Sequence, residues 1–141
     1  MFDVQSKKVE EQRYVSRTAR VRVPELERFI TTTIDELWSA NDASAPAFAI
    51  YHGEVNEDDD GPVEVGVPIA DGDRALPASE VAYTTVKGKQ RTFPEIIGAY
   101  DPIARWAAAN GRELAGSPRE IYLSDPSKGE EDRWEIAWPI R

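Results

Sequence analysis

At 141 residues, 40% of them hydrophobic, the chain has the size and composition of one globular domain that buries a core without staples. Seventeen basic against 26 acidic residues give a net charge of −9, and no basic block exceeds a pair, which argues against direct nucleic-acid binding. Zero cysteines exclude disulfides and thiolate chemistry, and the lone histidine, His52, excludes clustered-histidine metal sites. With no leader and no run of about 18 apolar residues, a cytoplasmic protein without a membrane span is expected.

Residues 9–19 alternate as a strand, with Val15 and Ala19 on one face and Tyr14, Ser16 and Thr18 on the other. Pro24 suits a first helical turn, and Leu26, Phe29, Ile30, Thr33, Ile34, Leu37 and Trp38 follow helical spacing to about Ala40. Residues 47–55 and 63–69 read as strands joined by the polar stretch 56–61. The same order then returns. Residues 78–87 form a strand and 88–91 a turn, and Thr92-Phe93-Pro94-Glu95 is a helix start with a capping box. Ile96, Ile97, Tyr100, Ile103, Ala104 and Ala107 give the helix an apolar stripe, and Asn110-Gly111 ends it. Pro102 predicts a kink or break at Tyr100–Asp101, with Asp101 capping a second segment. Residues 119–123 and 133–140 close the chain as two strands around the polar connection 127–132.

The return is visible in the residues themselves. Ile50-Tyr51 recurs as Ile121-Tyr122, and Val63-Glu64-Val65-Gly66-Val67-Pro68-Ile69 as Trp134-Glu135-Ile136-Ala137-Trp138-Pro139-Ile140, at a constant spacing of 71 (51 to 122, 64 to 135, 68 to 139). Two copies are too few for a solenoid, which needs about three. The expected fold is therefore α+β: a tandem pair of strand-helix-strand-strand modules, about 9–70 and 76–141, with antiparallel sheet and a ligand cleft between modules.

Glu120 stands where the first copy carries Ala49, two residues before Tyr122 and on the same strand face. Either it is a half-exposed strand acid paired to Arg119 or Arg133, or it is the floor of an aromatic pocket. Tyr51, Tyr83, Tyr100, Tyr122, Trp134 and Trp138 supply the rings, although Trp134 and Trp138 also fit an ordinary core. Rings around a carboxylate suit flat lipophilic cations, through stacking, cation–π attraction and countercharge. Glu64 and Glu135 form a symmetric pair that faces either the cleft, as an acidic site, or solvent, where it discourages edge pairing. Glu57-Asp58-Asp59-Asp60-Gly61 lacks the spaced ligands of an EF-hand, and Gly88-Lys89 is no phosphate loop, so neither metal nor cofactor is expected.

These motifs, in this order, resemble the GyrI-like small-molecule-binding domain, the effector-binding domain of multidrug-responsive transcription activators. The first module contributes Ile50-Tyr51-His52-Gly53, Gly61-Pro62 and Val63-Glu64-Val65-Gly66-Val67-Pro68. The second contributes Trp106 with Asn110-Gly111, then Glu120-Ile121-Tyr122-Leu123-Ser124-Asp125-Pro126, and Trp134-Glu135-Ile136 with Pro139. Two departures stand out: Gly88-Lys89-Gln90 replaces the Gly-Pro-Tyr common in relatives, and Pro102 interrupts a helix usually continuous.

The resemblance implies a single domain over 1–141, with a cleft lined by aromatics around a buried glutamate. By motif that glutamate is Glu120. Tyr122, Tyr51, Tyr83, Trp138, Glu64 and Glu135 complete the candidate ligand-binding set. With no helix-turn-helix before Val9, the chain looks like a stand-alone member that binds amphipathic, cationic or polyaromatic small molecules. One alternative is a hydrolase of strained cyclopropane-bearing toxins, with Glu120 or Glu135 as general base and a tyrosine hydroxyl polarising the leaving group. Another is a protein-interaction role such as topoisomerase inhibition.

Overall fold

The structure, a computed structural model, describes residues 2–41, 46–87, 98–123 and 133–141. Among them the elements run β1 (Gln5–Val9), β2 (Gln12–Val21), α1 (Val23–Ala40), β3 (Phe48–Tyr51), β4 (Gly61–Pro68), β5 (Arg74–Leu76), β6 (Ser79–Lys87), α2 (Tyr100–Ala109), β7 (Arg119–Tyr122) and β8 (Arg133–Ile140). All strand pairs described are antiparallel, which makes this the expected α+β class. The chain divides into two compact units: residues 11–77, and Met1–Glu10 with Ala78–Arg141.

In the unit of residues 11–77 the strand order is β3-β4-β2-β5, with α1 packed over β2 and β4. Pro24 lies in the first turn of α1, where its missing N–H costs nothing, and the Glu25 carboxylate accepts the Arg22 N–H at 2.8 Å. Ile30, Thr33 and Leu37 are the buried face of this helix; Trp38, expected on the same stripe, is 48% exposed at its C-terminal end. On β4, Val63, Val65 and Val67 are fully buried. Gly66, on the opposite face, lets the rings of Tyr14 and Phe48 meet edge-to-face at 5.1 Å above its backbone.

The other unit has the order β1-β6-β8-β7. Its core joins Ala82 and Val86 of β6, Ile103 and Ala107 of α2, and Ile136 and Ile140 of β8. Burying Ile103 and Ile136 completely contributes about 1.5–3 kcal/mol each. Helix α2 stops as expected, with Asn110 as C-cap and Gly111 at φ 67. Helix α2 begins at Tyr100, and Pro102 falls in its first turn, where an N–H has no intrahelical partner to lose; the segment expected to precede the break lies outside the described residues. Asp101 likewise is no cap; it lies inside the first turn and pairs with Arg105 at 2.8 Å. The expected capping box at 92–95, the turn at 88–91 and the connection at 127–132 lie outside the described residues.

The repeat is written into the strand pairing. Ile50 faces Glu64 as Ile121 faces Glu135, and Tyr51 faces Val63 as Tyr122 faces Trp134, so the spacing of 71 carries over to the register. On the first strand of each copy the spacing is 67, since Glu64 faces Thr18 and Glu135 faces Thr85. The edge strands follow it too: Arg74 pairs with Tyr14, and Lys7 with Val81. What was expected as one strand over 9–19 is therefore two, β1 and β2, broken at residues 10–11. Strand β1 precedes the first copy but pairs with β6, whereas β5 precedes the second copy and pairs with β2.

Candidate functional site

Strand β7 holds Glu120 beside Ile136 of β8, on the sheet face covered by α2. The residue is 4% exposed, too buried for the solvated strand acid that was the plainer reading. Its carboxylate accepts two phenol hydroxyls, from Tyr100 at 3.2 Å and from Tyr122 at 3.1 Å. Both phenols are braced by indoles. Tyr100 meets Trp138 edge-to-face at 6.1 Å, and Tyr122 meets Trp134 at 4.9 Å. Trp134 and Trp138 are half-buried against the core, and the Trp138 indole N–H donates to the Gly116 carbonyl at 3.0 Å. Burial, then the Glu120 charge and hydrogen bond, push the Tyr100 phenol well above its ordinary value of 10.0. Tyr100 therefore stays a donor at any physiological pH.

Glu64 sits at the centre of a second polar cluster, in the unit of residues 11–77. It is 2% exposed, and its carboxylate accepts from Tyr14 Oη at 3.0 Å, Ser16 Oγ at 2.6 Å and His52 Nε2 at 2.8 Å, while Arg74, whose Nε donates to Tyr14 Oη at 3.3 Å, forms an ion pair with it at 3.1 Å. The His52 contact requires the proton on Nε2, because an ionised carboxylate only accepts. Burial by itself raises the Glu64 pKa, but the hydrogen bonds from Ser16, His52 and Tyr14 and the Arg74 charge outweigh it. The carboxyl is held below its ordinary value.

Glu135, the same position in the repeat, is 6% exposed and pairs with Lys7 at 2.6 Å; the Lys7 ammonium lies 4.3 Å from the centroid of the Tyr83 ring. Neither Glu64 nor Glu135 is the solvent-facing acid that sequence left open, and each carries a cation from the chain. The cations are equivalent as well. Lys7 and Arg74 come from the edge strands β1 and β5, and both lie over a tyrosine, with Arg74 Cζ 5.9 Å from the Tyr14 ring centroid.

Pleating separates the candidates further. Glu120 shares a face with Ile136, so Glu135 is on the opposite face of the same sheet, with Tyr83 and Ala137. Tyr51 shares a face with Val63 and points away from Glu64. The structure thus brings Glu120 together with Tyr122, Tyr100, Trp134 and Trp138, and Glu135 with Tyr83. It adds four residues not singled out as site residues: Tyr14, Ser16 and Arg74 around Glu64, and Lys7 on Glu135. His52, dismissed for metal and nucleophile chemistry, joins the Glu64 cluster. Alternation along Ile50-Tyr51-His52 was its signal, since it puts His52 on the face of Ile50 and Glu64. Among the described residues no group of three or more acidic or histidine side chains is placed to hold a metal, and no helix is long and apolar enough to cross a membrane.

Comparisons with known proteins give the fold an address. The chain is similar to EcmrR in its DNA complex (TM-score 0.83, 22% identity, 99% of this chain and 57% of that one), so it spans little more than half of that longer protein. It is similar to the isolated EcmrR C-terminal domain over 100% of this chain and 98% of that one (TM-score 0.79, 21% identity). Two further solved structures share the fold. One is a hydrolase of Listeria innocua (TM-score 0.68, 12% identity, 98% and 91% covered). The other is SAV2435 bound to tetraphenylphosphonium (TM-score 0.66, 14% identity, 99% and 94% covered). No curated protein matches in sequence. The GyrI-like family, described as the GyrI-like small molecule binding domain, matches residues 2–141, and the chain belongs to that family.

Proposed function

We propose that this chain binds amphipathic organic cations or polyaromatic molecules, with Glu120 as the countercharge. The observation that carries the reading is a carboxylate 4% exposed that accepts hydrogen bonds from two tyrosines, each of which meets a tryptophan edge-to-face. A cation attracts a carboxylate more strongly in such an apolar setting than in water. A ligand cation takes the place of one phenol hydroxyl, and Tyr100, the first residue of α2, moves with the least disturbance. Its rings then lie against Trp134, Trp138 and Tyr122. That SAV2435, which shares the fold, is bound to tetraphenylphosphonium supports this ligand class.

Calorimetric titration with tetraphenylphosphonium tests the reading. Glu120→Gln keeps the side-chain shape but removes the charge, and should weaken binding by about 1–3 kcal/mol, or roughly five- to 150-fold. A neutral polyaromatic of similar size should lose less than about threefold. Equal affinity of wild type and Glu120→Gln for the cation, with the fold intact, would refute the role of Glu120. A second reading rests on Tyr100: a phenol held protonated beside a carboxylate is a general acid next to a general base, as water addition to a strained ring needs. Ring-opened product over many turnovers, absent in Glu120→Gln, would favour the hydrolase.

A further inference from the structure

Glu64 and Glu135 occupy one position of the repeat but are held very differently. Three hydrogen bonds and the Arg74 guanidinium converge on Glu64 from β2, the end of β3 and β5. Glu135, among the described residues, has one polar partner, the ammonium of Lys7. The Lys7 side chain is 40% exposed and that of Glu135 7% exposed. One side of the ion pair is therefore built into the sheet, and the other is a flexible stem rooted on the edge strand β1.

The ammonium sits 2.6 Å from the carboxylate and 4.3 Å from the centroid of the Tyr83 ring. A carboxylate beside an aromatic face is the chemistry that recognises alkylammonium groups. Here the chain supplies its own ammonium. Tyr83 also lines a groove of about 440 Å³ with Asp3, Gln5, Thr85 and Lys87. When Lys7 withdraws, its part-exposed ammonium finds water, and what is lost is the countercharge of the buried Glu135, which a ligand ammonium restores.

We propose that Glu135 and Tyr83 form a seat for an alkylammonium group, on the sheet face opposite Glu120, which Lys7 fills in the free protein and a ligand takes by displacing it. The seat does not depend on the function assigned to Glu120, because pleating puts the two acids on opposite faces.

The test uses the full chain and n-butylammonium, with n-pentanol as the neutral control, in calorimetric titrations. Lys7→Met keeps the apolar stem and vacates the seat. It should bind n-butylammonium about tenfold more tightly than wild type, the gain expected if the seat stands empty in roughly one wild-type molecule in ten. The gain should vanish when Glu135→Gln is added to Lys7→Met, should persist when Glu120→Gln is added instead, and should be absent for n-pentanol. Equal affinity of wild type and Lys7→Met, or a gain that survives Glu135→Gln, overturns the proposal. If Lys7→Met does not fold, the wild-type chain decides through 13C-methylated lysines, with the Lys7 resonance assigned from Lys7→Arg. A saturable shift of that resonance under n-butylammonium, lost in Glu135→Gln, supports displacement, and no shift overturns it.

Discussion

Replacing Glu64 or Glu135 with alanine removes the same atoms from equivalent strand positions, so the common loss of packing cancels and the difference reports on the donors left behind. At Glu64 those include the hydroxyl of Tyr14, 3% exposed, and that of Ser16. Deprived of their acceptor they cost about 1–2 kcal/mol each, while His52 and Arg74, with side chains 41% and 58% exposed, turn to water. At Glu135 the abandoned donor is Lys7, already 40% exposed. Allowing about 1–2 kcal/mol for the packing lost in both, Glu64→Ala should destabilise by about 3–6 kcal/mol and Glu135→Ala by about 1–2 kcal/mol. Urea unfolding followed by far-ultraviolet circular dichroism at pH 7 measures both. The gap also has a pH sign. Because the folded-state pKa of Glu64 lies below its unfolded value, the stability it adds is complete above the unfolded value, about 4.3, and is lost as pH falls through the folded one. The gap should therefore close in acid. Equal costs for the two variants at pH 7, or a gap that widens below about pH 4, would show that the donors around Glu64 do not set its contribution.

Two further outcomes follow from the same geometry. In a spectrophotometric titration of the folded chain, Tyr100 should not ionise around the ordinary phenol value of 10.0, so Tyr100→Phe should leave the amplitude up to about pH 11 unchanged. A drop of one tyrosine's worth would contradict its burial beside Glu120. Gly66→Ala would place a Cβ 2.7 Å from Phe48 Cζ and 3.0 Å from Tyr14 Cδ2, between rings only 2% and 3% exposed. The overpacking should lower stability by about 1–3 kcal/mol in urea unfolding, and a neutral substitution would mean that the rings yield freely.

Long, patterned elements were legible in the sequence because burial writes a period into them. The helix Val23–Ala40 and the strand Arg133–Ile140 fall within a residue or two of their expected bounds. Glu120 was legible for a different reason: a carboxylate had replaced the Ala49 of the first copy, a change that packing alone does not ask for. The edge strands were not readable. Gln5–Val9 carries two lysines and little apolar alternation, and Arg74–Leu76 is three residues long, so neither leaves a periodic trace. Their partners lie even further from local pattern, since Lys7 meets Glu135 across 128 positions. Trp38 shows the opposite failure: helical spacing names a stripe, but how far the sheet beneath extends decides whether its last member is covered.

The crossed allegiance of the two edge strands gives the chain a timetable during synthesis. Residues 11–77 form one compact unit from a continuous stretch and can complete their pairing as soon as that stretch has left the ribosome. Strand β1 emerges ahead of β2 yet has no lodging until β6 appears some seventy residues later (9 to 79), so it is seated only after the strands of residues 11–77. A cut at the boundary of the sequence repeat would separate each edge strand from its sheet. A piece beginning at Ala78 would lack Lys7, leaving the buried Glu135 without the cation that accompanies it in the whole chain.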